Sequence, residues 1–256
     1  MNMLAQKIYA LLFFGPILAL AGHAQNPASP VTRDNGTAAP AGFNLVPTDD
    51  IVDFFNARPV SAKAYRILYI GDSLTLHAPS KTLWTYYSGM AASDARHDYV
   101  HLSAMHMQTR MPDRPVEIFY CKGNGKLPSM LAYLQAHPEI KPDLIVQQGG
   151  ENDHFDDAFK TTYRQLLDAF PGTPKIVLSD WGDPVRRDFE RAEAAQRKYA
   201  FLDLTAIKTQ PGTTGNGGPF NVPGVAWHPN DMGMARIAEE IDKAFDSMIL
   251  RVQQPR

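Results

Sequence analysis

Tyr65-Arg66-Ile67-Leu68-Tyr69-Ile70-Gly71-Asp72-Ser73-Leu74 sets the architecture of this chain. Its apolar half reads as a buried strand, and Gly71-Asp72-Ser73 as a tight turn presenting a hydroxyl at the strand's carboxyl end. Open α/β sheets place their chemistry at that edge. Gly-Asp-Ser is also ordinary turn composition, so the serine gains meaning only from what lies downstream. The first strand is placed at 66–70, and four more short apolar runs follow at 116–121, 144–148, 175–179 and 201–204. Being mostly uninterrupted, they suit strands covered on both faces. Helical stretches at 129–137, 157–170 and 189–198 lie between them. The alternation predicts an α/β domain: a three-layer α/β/α sandwich around a central, mostly parallel five-stranded sheet, with right-handed crossovers. Met234, Ile237, Ile241, Phe245 and Met248 recur at helical spacing in the last segment, a core stripe on a helix that Asn230 caps.

A chain of 256 residues accommodates one mid-sized domain with a substantial core. A net charge of −2 and the lack of any like-charge block argue against a nucleic-acid surface driven by counterion release. Cys121 is the only cysteine, so neither an internal disulfide nor a thiolate metal cluster can form. At the end of an apolar run it reads as a small core residue. No phosphate-binding glycine loop is present, because Gly71-Asp72-Ser73 lacks the following lysine and the spacing.

The amino terminus reads as an export signal. Lys7 supplies the positive start, residues 8–21 form an apolar run short for a membrane span, and Gly22-His23-Ala24 offers small residues for cleavage after Ala24. An uncleaved anchor is the alternative. Both place the folded part outside the cytoplasm, periplasmic or secreted, and cleavage of the signal peptide 1–24 leaves no stable membrane span. Residues 25–62 turn to Pro, Ala, Thr, Asn and Gly, a linker too poor in apolar surface to offset its conformational entropy, with a short leading helix near Asp50-Ile51-Val52-Asp53. The domain itself is assigned to 63–256.

Two later segments raise Ser73 above turn composition. Gly150-Glu151-Asn152-Asp153 follows the run Leu144-Ile145-Val146, and His228-Pro229-Asn230-Asp231 opens the last helix. Serine, asparagine and histidine in that order, two at strand ends and one at a helix start, resemble the SGNH (GDSL) hydrolase family over residues 64–245. The resemblance implies a flavodoxin-like SGNH hydrolase fold and a serine esterase that needs no cofactor or metal. Ser73 would be the nucleophile and His228 the base. Asn152, the Ser73 backbone amide and a glycine amide after the second strand would form the oxyanion hole. In Lys122-Gly123-Asn124-Gly125 both glycines qualify, and Gly123 is preferred from its distance to Asn152 compared with family members. Asp72 and Asp153 read as turn-holding carboxylates. Each catalytic candidate also has a bland reading: a turn serine, an Asx-turn asparagine, a capping or surface histidine.

The chain departs from the family twice. Members carry an acid three positions before the histidine, to orient its ring; here that position is Val225, and Gly224-Val225-Ala226-Trp227 holds no acid. The third triad member is then absent, supplied from elsewhere, or replaced by a backbone carbonyl. Losing a placed acid can cost about 10⁴ in turnover when the tautomer goes wrong. The second departure is the long segment after Ser73, with Trp84, Tyr86, Tyr87, Gly89-Met90-Ala91-Ala92-Ser93 and Tyr99-Val100-His101. It is similar to a family subset with Gly-Met-Ala-Ala-Ser after the serine block. Its rings either stack on a sugar, line an acyl pocket or cap the core. Trp84 and Trp227 are the substrate-binding candidates. His97, His101 and His106 invite a zinc reading, but Asp98 is the only adjacent carboxylate, and they read as scattered surface histidines.

These features predict an exported serine esterase acting on carboxylic, chiefly O-acetyl, esters, with a small-molecule or polysaccharide ester as its partner. The competing class is a non-catalytic carbohydrate-binding or scaffold protein with a degenerate site, which Val225 favours.

Overall fold

The computed structural model describes residues 63–77, 88–121, 125–138, 140–215 and 222–253. The signal peptide, the 25–62 linker with its leading helix, Trp84, Tyr86, Tyr87 and Gly123 lie outside the described residues.

Five strands, β1 (Tyr65–Ile70), β2 (Val116–Cys121), β3 (Leu144–Gln147), β4 (Lys175–Leu178) and β5 (Ala200–Leu202), form one sheet in the order β2-β1-β3-β4-β5. Every pairing is parallel, so the sheet is wholly rather than mostly so. Each residue of β2 and β3 is buried, as a strand covered on both faces requires. The covering helices are α1 (Tyr99–Arg110), which packs on α7 (Asp231–Gln253), and α2 (Leu127–Ala136), which packs on α3 (Asp157–Asp168). α4 (Pro184–Gln196) lies against β5, and two short helices, α5 (Leu204–Lys208) and α6 (Pro223–Ala226), connect the remainder. This is the expected three-layer α/β/α sandwich.

Differences from the sequence expectation have local causes. The helix placed at 129–137 begins at Leu127, whose N–H donates to Asp153 Oδ2 at 3.0 Å, a cap supplied by a distant loop. That placed at 189–198 begins at Pro184, because the Asp183 side chain accepts from the Val185 and Arg186 amides and proline suits the first turn. β5 stops at Leu202 because Asp203 caps α5 and draws Leu204 into it. α1 carries no clean apolar stripe to read: His101 and Gln108 are buried along with Tyr99, Val100, Ala104 and Met107.

His101 is not a surface residue. It is buried and pairs with Asp98 at 2.7 Å, while the exposed His97 and His106 pair with Asp94 and Asp242, so each ring has its own carboxylate. The α7 stripe is buried from Met234 to Phe245, and the Asn230 side chain accepts the Gly233 amide, as expected of a cap. Cys121 is also buried in the core.

Strand order reverses direction around β1, the switch point at which open parallel sheets leave a crevice. Gly71 follows β1 directly, and a Cβ added there would come within 1.7 Å of Thr75 Oγ1 and 2.9 Å of Gln148 Oε1. Gly71→Ala should therefore destabilise the fold by about 1–3 kcal/mol through overpacking. Thermal unfolding should register this as a Tm several degrees lower; a Tm within about 1 °C of wild type would contradict the crowding.

Candidate functional site

Ser73 is held by the turn that ends β1. The Asp72 carbonyl accepts the Thr75 and Leu76 amides at 3.0 and 2.9 Å, and the Ser73 carbonyl accepts the Met90 amide at 2.8 Å. Its hydroxyl lies 2.8 Å from Nε2 of His228. The histidine follows α6, a single turn whose Pro223 and Val225 carbonyls accept the Trp227 and His228 amides. The Gly224 carbonyl, one of those a helix end leaves over, accepts from His228 Nδ1 at 2.7 Å. A carbonyl can only accept, so Nδ1 carries the proton and the Nε2 lone pair faces the Ser73 hydroxyl. Of the three alternatives left open by Val225, the backbone carbonyl is the one the geometry presents.

His228 is buried, and that burial lowers its pKa from 6.5 to about 4, against the opposing pulls of the Gly224 carbonyl and the Asp72 charge. A neutral ring is therefore the resting form across the neutral range. With the folded value below the unfolded one, protonation of the unfolded chain drains stability as pH falls from 6.5 towards 4. Val225 packs with Met90 and Ala91 in a small apolar nest. The Gly89-Met90-Ala91 stretch thus ties the Ser73 turn to the turn that carries His228, which is a supporting position rather than a pocket wall.

Asn152 leaves β3 on a loop built from two glycines with positive φ, Gly149 and Gly150. A Cβ on Gly150 would lie 2.7 Å from the Phe159 ring. Asp72 accepts the Leu74 amide at 3.4 Å and the Gly150 amide at 3.3 Å, joining the two loops, and Asp153 caps α2; both hold turns, as expected. Arg186, buried over the Phe159 ring at 4.8 Å, donates to the carbonyls of Gly150 and Asp153 on either side of Asn152. The exposed Asn152 amide donates to the Gly125 carbonyl at 3.2 Å, so it reaches the loop that holds both glycine candidates.

Three neighbours of these residues escaped sequence reading. Glu151 accepts from the Trp181 amide at 3.1 Å and Gln148 Nε2 at 2.7 Å. Burial first, then Asp72 and the charges of Asp180 and Glu190, push its carboxyl above the usual range. Its place inside the Asn152 motif was the available signal. The Gly224 carbonyl left no signal, since any residue supplies one. Lys208 gave none either; its ammonium stands 4.0 Å over the ring of Trp227. Trp227, the expected contact residue, is 36% exposed and meets His228 edge-on at 5.2 Å.

No protein-family model and no curated protein matches the chain. Solved structures share its fold. A two-domain esterase (CEX) active on acetylated mannans aligns with a TM-score of 0.50 and 15% identity over 72% of this chain and 49% of that one, so the chain spans about half of that protein. The family 3 carbohydrate esterase of Clostridium thermocellum aligns with a TM-score of 0.52 and 15% identity over 75% of this chain and all (100%) of its own. TesA gives 0.50 and 19% over 71% and 98%. At such identities the likeness is one of fold, and function has to be argued from the site.

Nitrogen NMR of the His228 imidazole should report the Nδ1–H tautomer at neutral pH, with a titration midpoint near 4. An Nε2–H tautomer, or a midpoint at the ordinary 6.5, would contradict the buried carbonyl-held ring.

Proposed function

We propose that the chain is an exported serine esterase of SGNH type, hydrolysing O-acetyl and related carboxylic esters of carbohydrate. One observation carries this above all: Ser73 Oγ lies 2.8 Å from an imidazole nitrogen whose opposite nitrogen is committed to a carbonyl. Ser73 Oγ attacks the ester carbonyl while its proton passes to His228 Nε2, and the imidazolium returns that proton to the departing alcohol. The Ser73 amide, the Asn152 side chain and a glycine amide of the 122–125 loop, Gly123 for preference, hold the oxyanion. Asn152 exchanges the Gly125 carbonyl for the substrate oxygen to do so. Water, losing a proton to His228, then attacks the acyl-Ser73 ester, and the imidazolium returns that proton to Ser73 Oγ as the acid is released. No group beyond these residues is required.

The carbohydrate direction is supported by the exposed indole of Trp227 beside His228, with Trp84 proposed as a second contact. It is also supported by neighbours described as active on acetylated mannans and as a carbohydrate esterase. Export is proposed from the leader-like first 24 residues. Among the described residues no helix is long and apolar enough to cross a membrane. The scaffold alternative draws on Val225; the Gly224 carbonyl at His228 Nδ1, where the family has its acid, supports the esterase reading over it.

A fluorophosphonate probe should label Ser73, and 4-nitrophenyl acetate should be hydrolysed. Ser73→Ala should abolish both with little change in Tm, since removing a half-buried turn hydroxyl takes away no packed apolar group; equal activity in the variant would remove Ser73 from its role. Asn152→Ala should lower kcat by about 10²–10³ with a smaller change in KM. Because only the neutral ring accepts the serine proton, kcat/KM should hold its plateau down to about pH 5 and fall with a midpoint near 4.

Val225→Asp tests the carbonyl directly. The buried carboxylate should lower Tm and bring little gain in turnover. A large rise in activity would mean that the natural site is a triad lacking its acid rather than a working dyad.

A further inference from the structure

Lys208 ends α5 with its ammonium 4.0 Å from the centre of the Trp227 ring and 5.9 Å from that of Trp181. Space for it exists because residue 182 has no side chain: a Cβ on Gly182 would lie 2.6 Å from Lys208 Nζ and 3.1 Å from Trp227 Cζ2. The Trp227 backbone is pinned in turn by the Trp181 indole N–H, which donates to its carbonyl at 2.8 Å. Among the described residues no carboxylate lies within 4.0 Å of this ammonium. The two acids nearest in charge are engaged elsewhere. Asp180 accepts the Gly182 and Asp183 amides at 2.6 Å each and faces Arg186 at 3.5 Å. Glu151 is bound to the Trp181 amide and Gln148. Lys208 is thus a half-buried cation without a carboxylate in direct contact, held against an indole face and acted on at longer range by Asp180 and Glu151. Its pKa is drawn below the ordinary lysine value by that burial, as an ammonium short of a counter-ion requires.

Resting on the esterase reading above, we propose that Lys208 and Trp227 form a subsite for a sugar carboxylate, so that the preferred substrates are acyl esters of uronic-acid carbohydrate. Trp227 neighbours both the ammonium and His228, which it meets edge-on at 5.2 Å. An ester whose carbonyl sits on Ser73 extends its alcohol portion over that indole. A carboxylate on the sugar then meets the ammonium, while the C–H edges of the ring rest on the indole. A single ammonium is a compact point charge without the guanidinium fork that grips phosphate through paired bonds, and it matches a monoanion.

The test uses the purified protein with a matched pair, methyl 3-O-acetylglucuronide and methyl 3-O-acetylglucoside, and with 4-nitrophenyl acetate as a reporter of the serine site. The glucuronide should be favoured in kcat/KM by about tenfold or more, chiefly through KM, and added salt should shrink the preference. Lys208→Met should bring the ratio close to one, and Lys208→Arg should keep most of it. Equal rates on the pair in the wild type, or a ratio unchanged in Lys208→Met, would overturn the subsite. A stronger preference for 3-O-acetylglucose 6-phosphate would overturn the carboxylate assignment in favour of phosphate. Failure to hydrolyse 4-nitrophenyl acetate would count against the esterase reading alone. Calorimetric binding of methyl glucuronide against methyl glucoside then decides the subsite without turnover: equal binding sinks it, and preferential binding lost in Lys208→Met sustains it.

Discussion

Parallel pairing of β1 with β3 is the constraint on which the crevice depends. Ile70 stands in register with Gln147, so the two strands end level and their following loops leave side by side. Ser73 and Asn152 lie 79 positions apart along the chain, yet the sheet delivers both to one edge. Asp72 bridges the two loops, Arg186 braces the second from α4, and Gly71 lets them approach. None of these contacts would have a purpose if the strands were out of register by a residue, since such a slip would also turn every side chain to the other face.

Orientation of His228 by a carbonyl rather than a carboxylate has two physical effects that pull apart. The tautomer is selected equally well, because the acceptor demands a proton on Nδ1. The charge of an imidazolium is answered by the carbonyl dipole and by Asp72 at longer range, and burial outweighs both in the cost of creating it. A ring in this setting is always ready to accept a proton and quick to give it back.

The fold was legible because parallel strands buried on both faces are apolar throughout, and β2 was bounded to the residue. Boundaries failed where a cap lay outside the local window, as with Asp153 over Leu127, or where a polar residue was buried with its own partner, as with His101 and Asp98. At the site, Ser73, Asn152 and His228 were readable as side chains in motifs. The Gly224 carbonyl was not, since backbone groups carry no sequence signature. Lys208 was not either, since a lysine at the end of a short helix ordinarily faces solvent. What distinguishes it is the emptiness at Gly182, which becomes meaningful only in three dimensions.

Cys121 closes β2 inside the core, its sulfur directed at the Met130 carbonyl and its thiol pushed by burial up to about 12. Thiolate, the form that oxidants and disulfides attack, is then scarce at any ordinary pH. Folded molecules should pass between reducing and oxidising surroundings without cross-linking to one another. The hazard is confined to the interval before folding, when the same sulfur is bare. Exposure to oxidant during refolding, rather than afterwards, is where covalent dimers of this chain would form.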